Sequence, residues 1–406
     1  MIANAENLVL YRLDQQAVSL PGPAFAGMLV KKAVEHGWQG NLWHCWLTHL
    51  LVENENPFSL ACERRQPPRD SLWQLAKRDM EVFLTAFRQA PPLPGWEILR
   101  TFHHEGDMDS AAAAILALSA RLAEAKDAEA MLELLTAFYR DRGLGMLGLG
   151  QVFRLDSLGN LYPVVRRRVV RLCDIVGYEE QKKALNANTL AFLRGKHANN
   201  VLLYGDAGTG KSTSIQALAE EYAPRGLRLI EVYKHQFSLI PGLLAQIKER
   251  NYRFILLLDD LSFEENETQY KYLKAVLEGG AEAAPENIRI YATSNRRHLI
   301  RETWNDRSDM EHNADVHRSD TMEEKLSLSA RFGLQIFYPN PTFEEYHTIV
   351  AALARRENAC LTPEQLRAAA STWQVRHGSR SGRTARQFVD SLSCLEENAP
   401  EGKEHT

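Results

Sequence analysis

The sequence is short of paired cysteines, long apolar runs and excess charge of either sign. Its five cysteines, Cys45, Cys62, Cys173, Cys360 and Cys394, are scattered without a CxxC pair. They read as separate reduced thiols, not as a zinc knot or a disulfide framework. No stretch approaches the roughly 20 apolar residues needed to cross a bilayer, so no membrane insertion is expected. The opening MIANAENLVLYRLDQQ sets Glu6 and Asp14 among short apolar runs and has none of the layout of a secretion signal. A cytoplasmic protein is the expectation. With 48 basic against 52 acidic residues, the net charge of −4 gives no support to a constitutively basic nucleic-acid coat, although a local basic patch would not show in the total. No internal repeat is visible.

Against that background one stretch stands out, Asn199 to Glu221, reading NNVLLYGDAGTGKSTSIQALAEE. The apolar run Val201 to Tyr204 enters a glycine-rich turn, and a helical pattern opens at Lys211 and Ser212. Strand, GxxxxGKS and helix in that order form the pattern of a phosphate-binding loop. Gly205, Gly208 and Gly210 reach backbone angles that residues with a Cβ avoid. The turn, which also holds Asp206, Ala207 and Thr209, and the helix start through Thr213 then aim their amides and the positive helix end at one phosphate. Lys211 is expected to reach the β- and γ-phosphates, and the Ser212 hydroxyl to ligate Mg²⁺.

Residues 1–165 read as an α-rich accessory domain. The segment LPGPAFAG is expected to turn, because two prolines and two glycines interrupt it. Leu42, Trp46, Leu47, Leu50 and Leu51 fall at helical spacing, and their tryptophan-rich helix suits either a small core or a partner surface. Helices are expected over Ser71 to Gln89 and over Ala111 to Tyr139, the latter broken near Lys126 and Asp127. Phe153 to Val165 reads as a hairpin around Gly159 and Asn160. Arg166, Arg167, Arg168 and Arg171 form the sharpest basic run, which fits a solvated linker or a grip on phosphodiester backbone.

From 166 to 340 strand-like and helix-like segments alternate, which predicts an α/β domain with a mainly parallel sheet flanked by helices. Strands are expected at Asn200 to Tyr204, Leu227 to Val232, Phe254 to Leu258, Ile288 to Ala292 and Gln335 to Tyr338. Residues 341–395 read as a helical lid, with Thr342 and Glu345, then Thr362 and Gln365, as capping pairs, and a third helix from Ala385 to Cys394. Residues 396–406 read as a disordered tail.

The run FILLLDD ends in Asp259 and Asp260 at the carboxyl edge of a buried strand, where ligands sit in sheets of this kind. Asp259 suits the orientation of Mg²⁺, and Asp260 the polarisation of an attacking water. The strand IRIYATSN closes on Asn295, whose amide is placed to bridge that water and the γ-phosphate. Glu264 and Glu265 either assist or are simply solvated. His312 and His317 lie in a charged segment, Arg301 to Lys325, without compact ligand spacing, and read as part of a solvated insertion.

Together GDAGTGKS, ILLLDD, YATSN, SARFG at 329–333 and GRTAR at 382–386 resemble the AAA+ ATPases, from about Asp174 to Leu395. With DIVGYEEQK and SGRTARQF added, the chain is similar to an uncharacterised bacterial group in which an N-terminal region precedes the motor. The resemblance implies a P-loop NTPase sheet with a C-terminal helical lid, ATP and Mg²⁺ as ligands, and hydrolysis coupled to conformational change. It also implies a homo-oligomeric ring or filament. It assigns Lys211 and Ser212 to Walker A, Asp259 and Asp260 to Walker B, and Asn295 to sensor 1. Arg331 becomes the finger presented to a neighbouring subunit, with Arg307 as a competitor. Arg383 becomes sensor 2, with Arg386 as the nearby alternative, and Ile175, Val176 and Gly177 pack beside the adenine. A planar, permanently charged guanidinium suits the charge that develops on a transferring phosphoryl group.

One departure stands at Asp260, where a glutamate is usual. A side chain one methylene shorter holds its carboxylate about 1.5 Å farther back, which bears on hydrolysis rate more than on binding. Two further readings stay open. One is a nucleotide-gated interaction protein with little hydrolysis, and the other a nucleic-acid-associated loader using Arg166 to Arg171. The client, protein or nucleic acid, is not named by the sequence.

Overall fold

The computed structural model describes residues 5–13, 19–105, 110–164, 170–263, 269–278, 285–295 and 328–396, with Ile2, Ala17 and Met108 besides. The chain divides into two units, Met1–Gln151 with Glu249–Asn251, and Val152–Lys248 with Tyr252–Thr406.

The first unit is helical, with α1 Gly22–His36, α2 Leu42–Glu53, α3 Pro57–Glu63, α4 Ser71–Arg88, α5 Trp96–Arg100, α6 Ser110–Ala123, α7 Ala128–Asp141 and α8 Gly145–Leu149. Side-chain caps set several starts: Asn41, Asn56, Asp70 and Asp127 each accept a backbone N–H of the turn that follows, satisfying donors the helix itself leaves unpaired. The LPGPAFAG segment departs from expectation. It opens α1, with Pro23 in the first turn, where a missing N–H costs nothing. The tryptophans of α2 belong to the core: Trp43 is 0 % and Trp46 1 % exposed, and both ring systems meet Phe25 edge-on. Buried Asp79 accepts the N–H groups of Val9, Leu10 and Tyr11 and so ties the N-terminal segment to α4. Glu63, also buried, pairs through both carboxylate oxygens with Arg250 of the inserted segment at 2.8 Å.

The second unit is an α/β fold of the P-loop, AAA+-like type. Its strands are β1 Val152–Leu155, β2 Leu161–Pro163, β3 Val201–Gly205, β4 Leu227–Glu231, β5 Arg253–Leu258, β6 Ile288–Ser294 and β7 Leu334–Tyr338. They form one sheet in the order β2-β1-β4-β5-β6-β3-β7. Only β1 and β2 run antiparallel, and every other neighbouring pair is parallel. Helices α9 Glu179–Leu193, α10 Lys211–Tyr222, α11 Ile240–Ile247 and α12 Gln269–Glu278 connect the strands. Leu203, Ile215, Leu218, Ile255, Leu257 and Tyr291 share one core cluster. Phe254 to Leu258 is buried throughout, as the unbroken apolar run of a covered parallel strand requires.

The hairpin around Gly159 and Asn160 forms as expected, but it extends the large sheet: Phe153 stands opposite Ile230 of β4. Strand-like residues outside the alternating region therefore go with the sheet and not with the helices before them. Three lid helices follow β7, namely α13 Phe343–Arg356, α14 Pro363–His377 and α15 Gly382–Glu396. Thr342 and Glu345 cap α13 reciprocally, and Thr362 and Gln365 do the same for α14. Tyr346, Val350, Leu366, Phe388 and Val389 close the lid's own core.

Candidate functional site

Sheet register brings the singled-out residues together. Leu258 stands opposite Ala292, so Asp259 emerges beside Thr293. Tyr204 stands opposite Ser294, so the turn after Gly205 emerges beside Asn295. Three loops at the carboxyl ends of β3, β5 and β6 thus converge on a cavity of about 640 Å³.

The glycines have separate jobs. Gly205, at φ +137°, passes Tyr338 so closely that a Cβ would lie 2.0 Å from its carbonyl oxygen. Gly208, at φ +78°, lies under the start of α15, where a Cβ would meet Ser381 Oγ at 2.8 Å. Lys211 is 6 % exposed and donates to the carbonyls of Gly205 and Asp206, at 2.8 and 2.6 Å, and to Asn295 Oδ1 at 3.2 Å. Burial pushes its ammonium below the usual lysine range, against the pull of Asp206, Asp260 and Asp259, and Arg383 adds to the depression. A desolvated cation whose hydrogen-bond acceptors among the described residues are neutral oxygens is a strong seat for a multiply charged anion.

Next to Lys211 in the chain, Ser212 donates its hydroxyl to Asp259 Oδ1. Both are hard oxygen donors opening on the same space, the donor set that Mg²⁺ takes alongside water and phosphate oxygens. Among the described residues no three His, Cys, Asp or Glu side chains gather as metal ligands. Asp260 has φ +53°, and its Oδ1 accepts from Asn295 Nδ2 at 2.7 Å. Asn295 therefore bridges Asp260 and Lys211.

Ile175, Val176, Ile349 and Leu353 give the cavity an apolar part to its lining. The strap bearing Ile175 is fastened twice. Buried Lys182 donates to the Ile175 carbonyl at 2.8 Å, and Arg356 of α13 donates to the Asp174 carbonyl at 2.8 Å. Arg383 lines the cavity, its backbone N–H donating to the Gly208 carbonyl at 3.2 Å. Arg386 also lines it but is paired with Glu357 at 2.8 Å, whereas Arg383 has no ion pair among the described residues.

The sequence matches, over residues 151–395, the family described as "Protein of unknown function (DUF815)". That is more than half of the chain. The chain belongs to the DUF815 family. No curated protein matches it. Among solved structures, the Thermotoga maritima RuvB Holliday junction branch migration motor is 16 % identical, with a TM-score of 0.37 over 56 % of this chain and 66 % of that one. Two variants of the same Thermotoga protein are 17 % identical with a TM-score of 0.38 and the same coverage. This DUF815 chain thus spans slightly less than two thirds of each of these three structures, and superpositions so loose carry no argument about its activity.

Several expected residues stand elsewhere. Gly177 turns the strap at φ +79° without lining the cavity. Arg331 precedes β7, whose first residue pairs with Val201 at the start of β3. It lies at the amino edge of the sheet, about 16 Å of strand away from the phosphate loop, and does not join its own chain's cavity. Arg166, Arg167, Arg168, Glu264, Glu265, Arg307, His312 and His317 lie outside the described residues. Tyr178, Ile349, Leu353 and Thr293 line the cavity without having been singled out. The lid residues had no signal beyond helical spacing, while Thr293 sits two places before Asn295.

Proposed function

We propose that this DUF815 chain binds ATP with Mg²⁺ in the cavity between β3, β5, β6 and the lid, and hydrolyses its terminal phosphoanhydride. The observation that carries the reading is the single hydrogen-bonded chain from Lys211 through Asn295 to Asp260, facing the Ser212 and Asp259 pair. The amides from Gly205 to Thr213 receive the phosphates, and Lys211 exchanges its carbonyl partners for β- and γ-oxygens. Ser212 and Asp259 would hold the metal, which when bound offsets charge on the phosphate oxygens. Asp260 accepts a proton from water as the water oxygen bonds to the γ-phosphorus and the bond to the bridging oxygen breaks, leaving ADP and phosphate. Ile175 and Val176 flank the adenine, with Gly177 turning their strap. Arg383 reports the γ-phosphate to the lid, so that bond cleavage alters how α15 sits on the loop.

Arg331 belongs to a neighbour's site in this reading. Its place at the opposite sheet edge, remote from its own cavity, supports a finger delivered between subunits of a homo-oligomeric ring or filament. Steady-state ATPase activity against protein concentration, for wild type and Arg331→Ala, tests it. Specific activity should climb with concentration in wild type alone, and the variant should lose on the order of 10³-fold in kcat. Activity independent of concentration and untouched by the substitution would remove the shared site.

A further inference from the structure

Resting on the ATPase reading, we propose that Thr293 is the positioning residue that sets both aspartates, holding Asp259 toward Ser212 and keeping Asp260 in the turn that lets a short carboxylate reach Asn295. Thr293 is the next-to-last residue of β6, is 2 % exposed and lines the cavity. Its hydroxyl donates to Asp259 Oδ1 at 2.6 Å and accepts the Asp260 N–H at 2.9 Å. Its carbonyl accepts the Leu261 N–H at 2.7 Å. One residue on a neighbouring strand therefore grips three consecutive residues of the loop that leaves β5.

The grip matters because of what Asp260 does. At φ +53° it occupies the left-handed region, which is uncommon for a residue with a Cβ, though less so for aspartate than for most, and is favoured where local hydrogen bonds hold it. The Thr293 hydroxyl takes the Asp260 amide in that conformation, and the carboxylate then meets Asn295 Nδ2 at 2.7 Å. A β-branched side chain restricted at χ1 is well suited to hold two bonds at fixed directions. Asp259 Oδ1 is shared between the hydroxyls of Thr293 and Ser212, so removing the first frees the carboxylate to turn from the second.

Thr293→Val keeps the shape and removes the hydroxyl, while Thr293→Ser keeps the hydroxyl. ATP affinity is measured by calorimetry in EDTA and then in Mg²⁺, with single-turnover hydrolysis alongside. In EDTA the valine variant should match wild type within about twofold, because the loop amides and Lys211 are untouched. Its gain in affinity on adding Mg²⁺ should shrink by about tenfold, and hydrolysis should fall by roughly 10- to 100-fold, the scale of an ångström of misplacement. The serine variant should return to within about threefold of wild type in both. Thr293→Ala carries the same expectation should the valine variant precipitate. A folded valine or alanine variant with wild-type Mg²⁺ response and hydrolysis, or a folded serine variant no better than valine, overturns the assignment of Thr293. Wild type without Mg²⁺-dependent ATP affinity overturns the ATPase reading itself, and this inference with it, before any variant is compared.

Discussion

Gly208→Ala tests how closely the lid is fitted to the phosphate loop, with Gly210→Ala as its control. Both glycines are left-handed, at φ +78° and +91°, so alanine at either costs about 1–2 kcal/mol in backbone strain. The surroundings differ. A Cβ at 208 would lie 2.8 Å from Ser381 Oγ and 3.0 Å from Arg383 Cβ, whereas one at 210 would find its nearest neighbour, Ile175 Cγ2, at 3.7 Å. Forcing extra atoms into a packed site costs about 1–3 kcal/mol more. Gly208→Ala should therefore destabilise by about 2–5 kcal/mol and Gly210→Ala by about 1–2 kcal/mol. Relief at 208 comes from lifting the first turn of α15, whose Arg383 N–H now donates to the Gly208 carbonyl at 3.2 Å. Hydrogen exchange across residues 379–388 reads this directly. Protection there should drop in Gly208→Ala, roughly tenfold for each 1.4 kcal/mol of lost contact, and stay at the wild-type level in Gly210→Ala. Equal protection in the two variants would refute the fitted lid.

Gly205→Ala should be far worse than either, since the clash at 2.0 Å is with a backbone carbonyl of β7. A loss beyond about 4 kcal/mol is expected, read as a collapse in soluble yield or melting temperature, and a variant melting alongside wild type would contradict the packing described. Glu345 accepts from the Thr342 N–H and hydroxyl, at 2.8 and 2.9 Å, and these bonds hold its carboxyl below the ordinary value of 4.5. Its contribution is therefore present above pH 4.5 and is lost as pH falls through the lower folded value. Glu345→Gln should flatten the acid side of the melting profile without moving its neutral part, and a profile steepened by the substitution would reverse the sign argued here.

Much of the second unit was legible in the sequence because its signals are local. GDAGTGKS fixes a strand, a turn and a helix within one short stretch, and the short, bounded apolar run Phe254 to Leu258 reads as a strand covered on both faces. The capping pairs at Thr342 and Thr362 likewise name their helix starts outright. What escaped was set by partners distant in sequence. Nothing around Phe153 announces that it pairs with Ile230, so the hairpin's place on the sheet edge could not be read. LPGPAFAG has turn composition, yet proline is welcome in a first helical turn, and composition alone does not separate the two. At the site, Lys211, Asp259, Asp260 and Asn295 were visible because each follows a strand end. Thr293 was passed over because its importance depends on cross-strand register, and the roles of Arg356 and Lys182 in fastening the strap depend on carbonyls, which sequence does not display.

The most direct test of the account is calorimetric titration of ATP into wild type and Lys211→Ala, each with and without Mg²⁺. A lysine a few ångströms from phosphate contributes on the order of 4 kcal/mol per unit charge at a partly shielded site, part of which rehydration returns. Wild type should bind, bind more tightly with Mg²⁺, and lose roughly 100-fold or more in affinity on Lys211→Ala. Folded wild type that takes up no ATP in Mg²⁺, or a variant that binds as well as wild type, would contradict it.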